Sequence, residues 1–232
     1  MTPRPARCAA LAAAVLLLAA APAVAARPYA GAQFRYWSFS HHNDLRDVLA
    51  YWVPGPFHVQ LEYWDFVRGE DQFRPEVGLH LRDRRRSTYT VQWRHERFAE
   101  RFWFETEQVL SERWVGRAGV SPIVTEDSTD VVLYAGADVY WGSYSFASAN
   151  VIRDPRGDDL WVVPLRVRLA NEANDWLQLT LAPASERTLG WAADAKIRWL
   201  RLGVERNSRY DFTSLDNVVV TAGVEVPLAP AP

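Results

Sequence analysis

The chain comprises 232 residues, 49% of them hydrophobic and 13% aromatic, with 26 Lys and Arg balanced by 28 Asp and Glu. A formal charge of −2 provides no cationic surplus for a polyanion, so nucleic acid is not an expected partner. Cys8 is the only cysteine, which excludes a disulfide framework and a thiolate metal centre.

At the start, Arg4 and Arg7 precede an apolar run from about Ala9 to Ala21, and Ala23-Val24-Ala25 offers the small residues at which a secretory leader is cut. The run is too short and too rich in alanine for a membrane-spanning helix, and no second apolar span follows it. Residues 1–26 therefore read as a cleaved signal peptide. Residues 27–232 read as one domain, because no Pro/Gly/Ser-rich linker divides them. Without Arg4 and Arg7 the mature chain keeps 24 basic residues, Lys196 being its sole lysine, and it has no thiol.

Beyond the leader the apolar residues recur with a period of two. The candidate strands are 32–40, 45–53, 57–66, 75–82, 87–97, 101–110, 113–121, 130–140, 143–152, 160–169, 176–182, 188–194, 198–206 and 216–228. In 57–66, Phe57, Val59, Leu61 and Tyr63 oppose His58, Gln60 and Glu62. In 160–169, Trp161, Val163, Leu165, Val167 and Leu169 oppose Pro164, Arg166 and Arg168, and the pattern resumes in 176–182 with Leu177, Leu179 and Leu181. Fourteen strands follow, or twelve if elements merge around 101–121.

Half-apolar strands have two solutions. A soluble sandwich turns the apolar face to a second sheet; a membrane barrel turns it to lipid and encloses the charged face. The connections after odd-numbered strands, such as 67–73, 122–129, 153–159 and 207–215, read longer than those after even-numbered ones, such as 54–56, 83–86, 141–142 and 194–197. Long and short edges of that kind suit an outer-membrane barrel with both termini in the periplasm. Most of the 11 tryptophans lie near strand ends, where headgroup-level aromatic girdles sit. The expectation is all-β: a single antiparallel transmembrane β-barrel in the outer membrane of a Gram-negative cell, surrounded by outer-membrane lipid. A soluble periplasmic β-sandwich or β-barrel binding protein is the alternative.

Parity then assigns the faces. Trp161, Val163, Leu165, Val167 and Leu169 are expected against lipid. Glu62, His80, Arg82, Arg94, Glu96, Arg101, Glu105, Glu107, Arg166 and Arg168 are expected to line the lumen, together with Arg198 and Glu205. A lumen of mixed sign is either a water-filled pore or a plug of ion pairs. His58 and His80 share lumenal parity with Glu62 and Glu76, the one grouping with acid–base capacity, as an outer-membrane lipid-modifying enzyme would need. No nucleophile motif accompanies them, so no catalytic residue is assigned and an enzyme is not expected. His41-His42-Asn43-Asp44 reads as a polar turn, since neighbouring side chains of an extended segment point apart; neither a metal nor another cofactor is expected.

AQFRYWSFS at 32–40, DVYWGSYSFASANVIRDPRGDD at 138–159 and NDWLQLTLAPASE at 174–186 resemble the YaiO-like outer-membrane β-barrel family, the most specific element being Tyr140-Trp141-Gly142 followed by Tyr144 and Phe146. The resemblance implies a barrel of poorly defined role, a pore or scaffold associated with surface polysaccharide or its export proteins. The tail TAGVEVPL at 221–228 resembles the terminal signal read by the barrel assembly machinery, with Thr221, Gly223, Val226 and Leu228 in the signal positions. It departs from the usual form, ending on Leu228 and a further APAP rather than on a final aromatic residue.

Overall fold

The computed structural model describes residues 28–39, 44–54, 56–82, 86–155, 160–185, 187–206 and 217–227. The proposed leader, His41 to Asn43, Gly55, the Arg156-Gly157-Asp158 turn and Leu228 lie outside the described residues. Within them the chain is entirely β: β1 (Tyr29–Phe39), β2 (Leu45–Val53), β3 (Phe57–Phe66), β4 (Gln72–Arg82), β5 (Ser87–Glu96), β6 (Ala99–Val109), β7 (Trp114–Val124), β8 (Thr129–Tyr140), β9 (Phe146–Asp154), β10 (Leu160–Val162), β11 (Leu165–Ala170), β12 (Trp176–Ala184), β13 (Arg187–Ile197), β14 (Leu200–Arg206) and β15 (Asn217–Pro227).

Apart from β10 and β11, every strand pairs antiparallel with its chain neighbours, and β1 pairs with both β2 and β15, which closes the sheet into a barrel. Closure overturns the sandwich alternative, because among the described residues all fifteen strands belong to one sheet. β10 and β11 occupy one position in the ring. Both pair with β9 on one side and β12 on the other in an unbroken register, Val162 opposite Ile152 and Leu165 opposite Ala149. The regular strand is interrupted at Val163-Pro164 because proline has no amide to donate. Hydrogen bonds continue across the gap, from Val163 N to the Pro183 carbonyl at 2.9 Å and from Asn150 N to the Pro164 carbonyl at 3.1 Å. Fifteen segments thus make a fourteen-position barrel, and the twelve-strand alternative falls because β6 and β7 are separate, paired strands.

The register opposes Tyr29 to Pro227 and Phe39 to Asn217, so both described ends lie at one rim, called here the terminal rim. The expected alternation of long and short connections is weak. Gln72 and Phe73 belong to β4 and Asp194 to Ile197 to β13, and the β5–β6 connection after an odd-numbered strand is only Arg97-Phe98. Turn signals shifted these boundaries because strands with continuous ladder partners extend through polar residues. The β13–β14 turn is Arg198-Trp199, with Arg198 at φ 56°, a left-handed backbone of the sort tight hairpins require.

Alternation sorts the faces. On β1, Phe34 and Tyr36 are exposed and Gln33, Arg35 and Trp37 buried; on β11 and β12, Leu165, Val167, Leu169, Leu177, Leu179 and Leu181 are exposed. Exposed Val, Leu, Phe, Tyr and Trp continue on every ring position. Four exposed indoles, Trp52, Trp114, Trp141 and Trp199, gather at the terminal rim. The tryptophan expectation needs correction elsewhere: Trp37, Trp64 and Trp176 are buried. Trp37, Phe39, Leu45, Trp64 and Val219 form an inward apolar cluster near the far rim, with Phe66 against it. Each such burial contributes about 1.5–3 kcal/mol relative to exposure, and this cluster seals the junction of β15 with β1, β2 and β3.

Candidate functional site: the lumenal wall

The inward parity of β1 to β5 carries ion pairs on every strand. Arg35 on β1 pairs with Asp47 on β2 at 2.5 Å and with Glu62 on β3. Arg74 on β4 meets Glu62 at 3.3 Å and also pairs with Glu96 on β5, while its guanidinium lies 3.9 Å over the Trp64 ring. Arg94 on β5 pairs with Glu76 on β4, its Nε donating at 2.5 Å. Arg35, Asp47, Glu62, Arg74 and Glu76 are all buried. Charges so buried are tolerable because each has an opposite charge within contact on an adjacent strand. The network follows from register: cross-strand neighbours of one parity have side chains only about 5 Å apart.

His58 and His80 do meet, with ring centroids 5.8 Å apart and planes 20° from parallel. His58 Nε2 lies 2.9 Å from Glu76 Oε1, and His80 Nδ1 lies 3.0 Å from Thr90 Oγ1. Gly78 leaves the space for this pair, since a Cβ there would fall 2.7 Å from His58 Nδ1. Of the expected turn His41 to Asp44, only Asp44 is described; its carboxylate accepts from the Tyr36 hydroxyl at 2.5 Å. Among the described residues, no group of three or more His, Cys, Asp and Glu is placed to hold a metal ion.

On β6 to β8, Arg117 pairs with Asp138 and lies 3.6 Å from Glu107, and the Tyr134 hydroxyl donates to Glu105. Tyr134 lies across Gly119 on β7 and stacks on Trp103 at 4.8 Å, which fixes it against the wall. Arg101 donates to Ser121 Oγ at 3.1 Å.

The third stretch, β11 to β15, differs. Lys196 pairs with Glu225 at 2.8 Å, and the Tyr51 hydroxyl donates to the same carboxylate at 2.9 Å. Arg168 donates through Nε and Nη2 to Gln178 Oε1, at 3.0 and 2.8 Å, and lies 4.3 Å over the Trp176 ring and 5.0 Å over Phe146. Arg201 lies 5.5 Å from the centre of the same Trp176 ring, and its Nε has no hydrogen-bond partner among the described residues. Arg166, two residues along β11 from Arg168, aligns with Ser148 and Thr180. Among the described residues, none of Arg166, Arg168 and Arg201 is ion-paired with a carboxylate.

Of the residues expected in the lumen, Glu62, His80, Arg94, Glu96, Arg101, Glu105, Glu107, Arg166, Arg168 and Glu205 lie on the inward parity. Arg82 ends β4 opposite Thr88, and its side chain is outside the described part. Arg198 is not lumenal: it is exposed in the β13–β14 turn, where its amide donates to Asp175 in the β11–β12 turn. Trp161, Leu165, Val167 and Leu169 are exposed on the outer face, with Val163 between them partly covered. Thr221 and Gly223 are inward on β15 and Val226 outward. Arg35, Asp47, Arg74, Arg117, Asp138 and Arg201 escaped sequence reading. Arg35 and Asp47 alternate with exposed apolar neighbours and were accessible by parity. Arg74 was lost by starting β4 after it, whereas Arg201 lies within 198–206 on the parity of Glu205 and was open to the same argument.

No family model and no characterised protein matches this sequence. Among solved structures, the fold is similar to a triple mutant of the Rhodopseudomonas blastica porin, with a TM-score of 0.52 and 7% identity over 86% of this chain and 99% of that one. It is also similar to KdgM porin, with a TM-score of 0.52 and 5% identity over 84% and 98% of the respective chains. KdgM porin in complex with disordered oligogalacturonate gives a TM-score of 0.53 at 5% identity over 86% and 99%. At these identities the likeness is one of fold.

Proposed function

We propose that this chain is a porin-like outer-membrane protein whose lumen passes hydrophilic solutes, in the service of a surface-polysaccharide export system. The observation that carries the reading is the inversion of the barrel: aliphatic and aromatic residues cover the outside of every ring position, and ion pairs cover the inside. A water-surrounded protein rarely exposes an apolar patch beyond a few hundred Å², whereas lipid is the natural neighbour of such a surface. Most strands have 9 to 12 residues, the length that spans a bilayer when tilted.

The likeness to YaiO-like barrels supports the link to polysaccharide, and the terminal-signal resemblance of Thr221, Gly223 and Val226 supports delivery by the barrel assembly machinery. With Tyr29 and Pro227 at one rim, the reading places both termini in the periplasm. An enzyme acting on membrane lipid fits less well. The His58–Glu76 pair is turned to the lumen, away from the surface on which a lipid would lie.

A plugged scaffold is the second reading, favoured by the apolar cluster and ion-pair network that fill the lumenal side of β1 to β5. Planar-bilayer recording on the purified protein separates the two. Stepwise unitary conductance is expected of the pore; a protein that inserts, shifts its gel mobility on heating and stays electrically silent is a scaffold.

A further inference from the structure

We propose that Arg166, Arg168 and Arg201 form a binding ladder for carboxylated oligosaccharides on the β11–β14 side of the lumen. The proposal rests on the pore reading for its biological sense, but its geometry is independent of it.

Two walls of one lumen treat their cations differently. On β1 to β5, Arg35, Arg74 and Arg94 each contact a carboxylate. On β11 and β14, Arg168 and Arg201 instead share the indole of Trp176, at 4.3 and 5.5 Å. An aromatic face attracts and orients a guanidinium without neutralising it, whereas a carboxylate quenches its charge. Gln178 completes the mount for Arg168, accepting from Nε and Nη2 and leaving the other edge of the fork without a hydrogen-bond partner among the described residues. Trp176 is itself buried, so it serves as a support rather than as a stacking platform for ligand.

The ligand class follows from the chemistry. A planar fork of donors matches carboxylate bidentately. Arg166 and Arg168 alternate on one strand, which spaces them by about 7 Å, and Arg201 approaches from three ring positions away, meeting Arg168 over the Trp176 ring on β12 between them. Such spacing suits several charges carried on one chain better than a single halide. The surrounding lumenal groups Ser148, Gln178 and Thr180 are hydroxyls and amides able to exchange hydrogen bonds with sugar hydroxyls, while Asp194, aligned with Gln178 on β13, is a carboxylate of this wall and offsets part of the guanidinium charge.

Trigalacturonate is the test probe, with maltotriose as the uncharged control and inorganic phosphate as the simple oxyanion. Binding to the full-length protein in detergent is measured by calorimetry, and current block in planar bilayers. The expected result is trigalacturonate binding that weakens as salt rises, no binding of maltotriose, and weaker binding of phosphate. In Arg168→Gln/Arg201→Gln the affinity should fall about tenfold or more, with the heat-shift of the folded barrel retained. If that variant fails to fold, Arg166→Gln, which breaks no ion pair or side-chain hydrogen bond among the described residues, must show the loss. Equal binding of maltotriose, phosphate as strong as trigalacturonate, or absence of trigalacturonate binding to the folded parent overturns the ladder. Binding without conductance retains the ladder and fails the pore; conductance without binding does the reverse.

Discussion

Arg35 reaches across from β1 to Asp47 on β2 at 2.5 Å, and the Asp47 side chain is 0% exposed. The pair joins the first hairpin of the barrel to Glu62 on β3 and through it to Arg74. Removing one member of a buried pair leaves an uncompensated charge, at about 3–5 kcal/mol, while replacing both by apolar residues is often neutral. Asp47→Leu should therefore lower stability strongly in urea unfolding from lipid vesicles. The double change Asp47→Leu with Arg35→Leu should recover part of it, less than all because Glu62 then loses one of its cations. Additive losses would show that the pair does not couple.

The two faces of β11 give a second expectation. Leu165 is exposed on the outer face and Arg166 is inward with no ion pair among the described residues. Leu165→Arg should cost about 2–4 kcal/mol if the outer face meets lipid near its midplane, and Arg166→Leu should cost less. Equal losses on refolding into vesicles would remove the assignment of faces.

Tyr134 occupies the space that a side chain at Gly119 would need. Gly119→Val should push the phenol off Trp103 and away from Glu105, costing about 1–3 kcal/mol by overpacking. Gly116→Ala on the same strand faces the outer side and should be nearly silent. Near-ultraviolet circular dichroism should register the first change and not the second.

Cys8 is the sole cysteine of the sequence and lies in the proposed leader, so single thiols placed in the barrel report topology against a Cys8→Ser background. Asp71→Cys lies in the β3–β4 connection at the far rim and Gly142→Cys in the β8–β9 connection at the terminal rim. With the termini in the periplasm, a membrane-impermeant maleimide should label the first on intact cells and the second only after permeabilisation. The opposite pattern inverts the orientation.

One titration lies outside the strands. Asp175 is held below the usual aspartate value of 3.8 by the Arg198 amide and then by the Asn171 side chain. A depressed carboxylate stabilises the fold above its unfolded pKa and loses that contribution as pH falls through the folded value. The stability gap between parent and Asp175→Asn should thus be constant above about pH 5 and close in more acid solution. A gap independent of pH would assign the effect to hydrogen-bond geometry alone.

Sequence by itself determined the number and order of the strands and which side of each is apolar, because a pleated strand alternates its side chains with a fixed period of two. Val163, Leu165 and Val167 could be set apart from Arg166 and Arg168 with no knowledge of their neighbours. It reached the stacked His58 and His80, and Glu62 among the lumenal acids, by the same parity. It misplaced Arg198 because a turn of two residues leaves almost no compositional mark. Closure of β15 on β1 was left to the tertiary structure, which also decided that Arg35 finds Asp47 and Glu62 while Arg168 and Arg201 find Trp176 instead. Those partners depend on inter-strand register, and a ladder sets register through hydrogen bonds between segments that parity alone leaves free to slide by two residues.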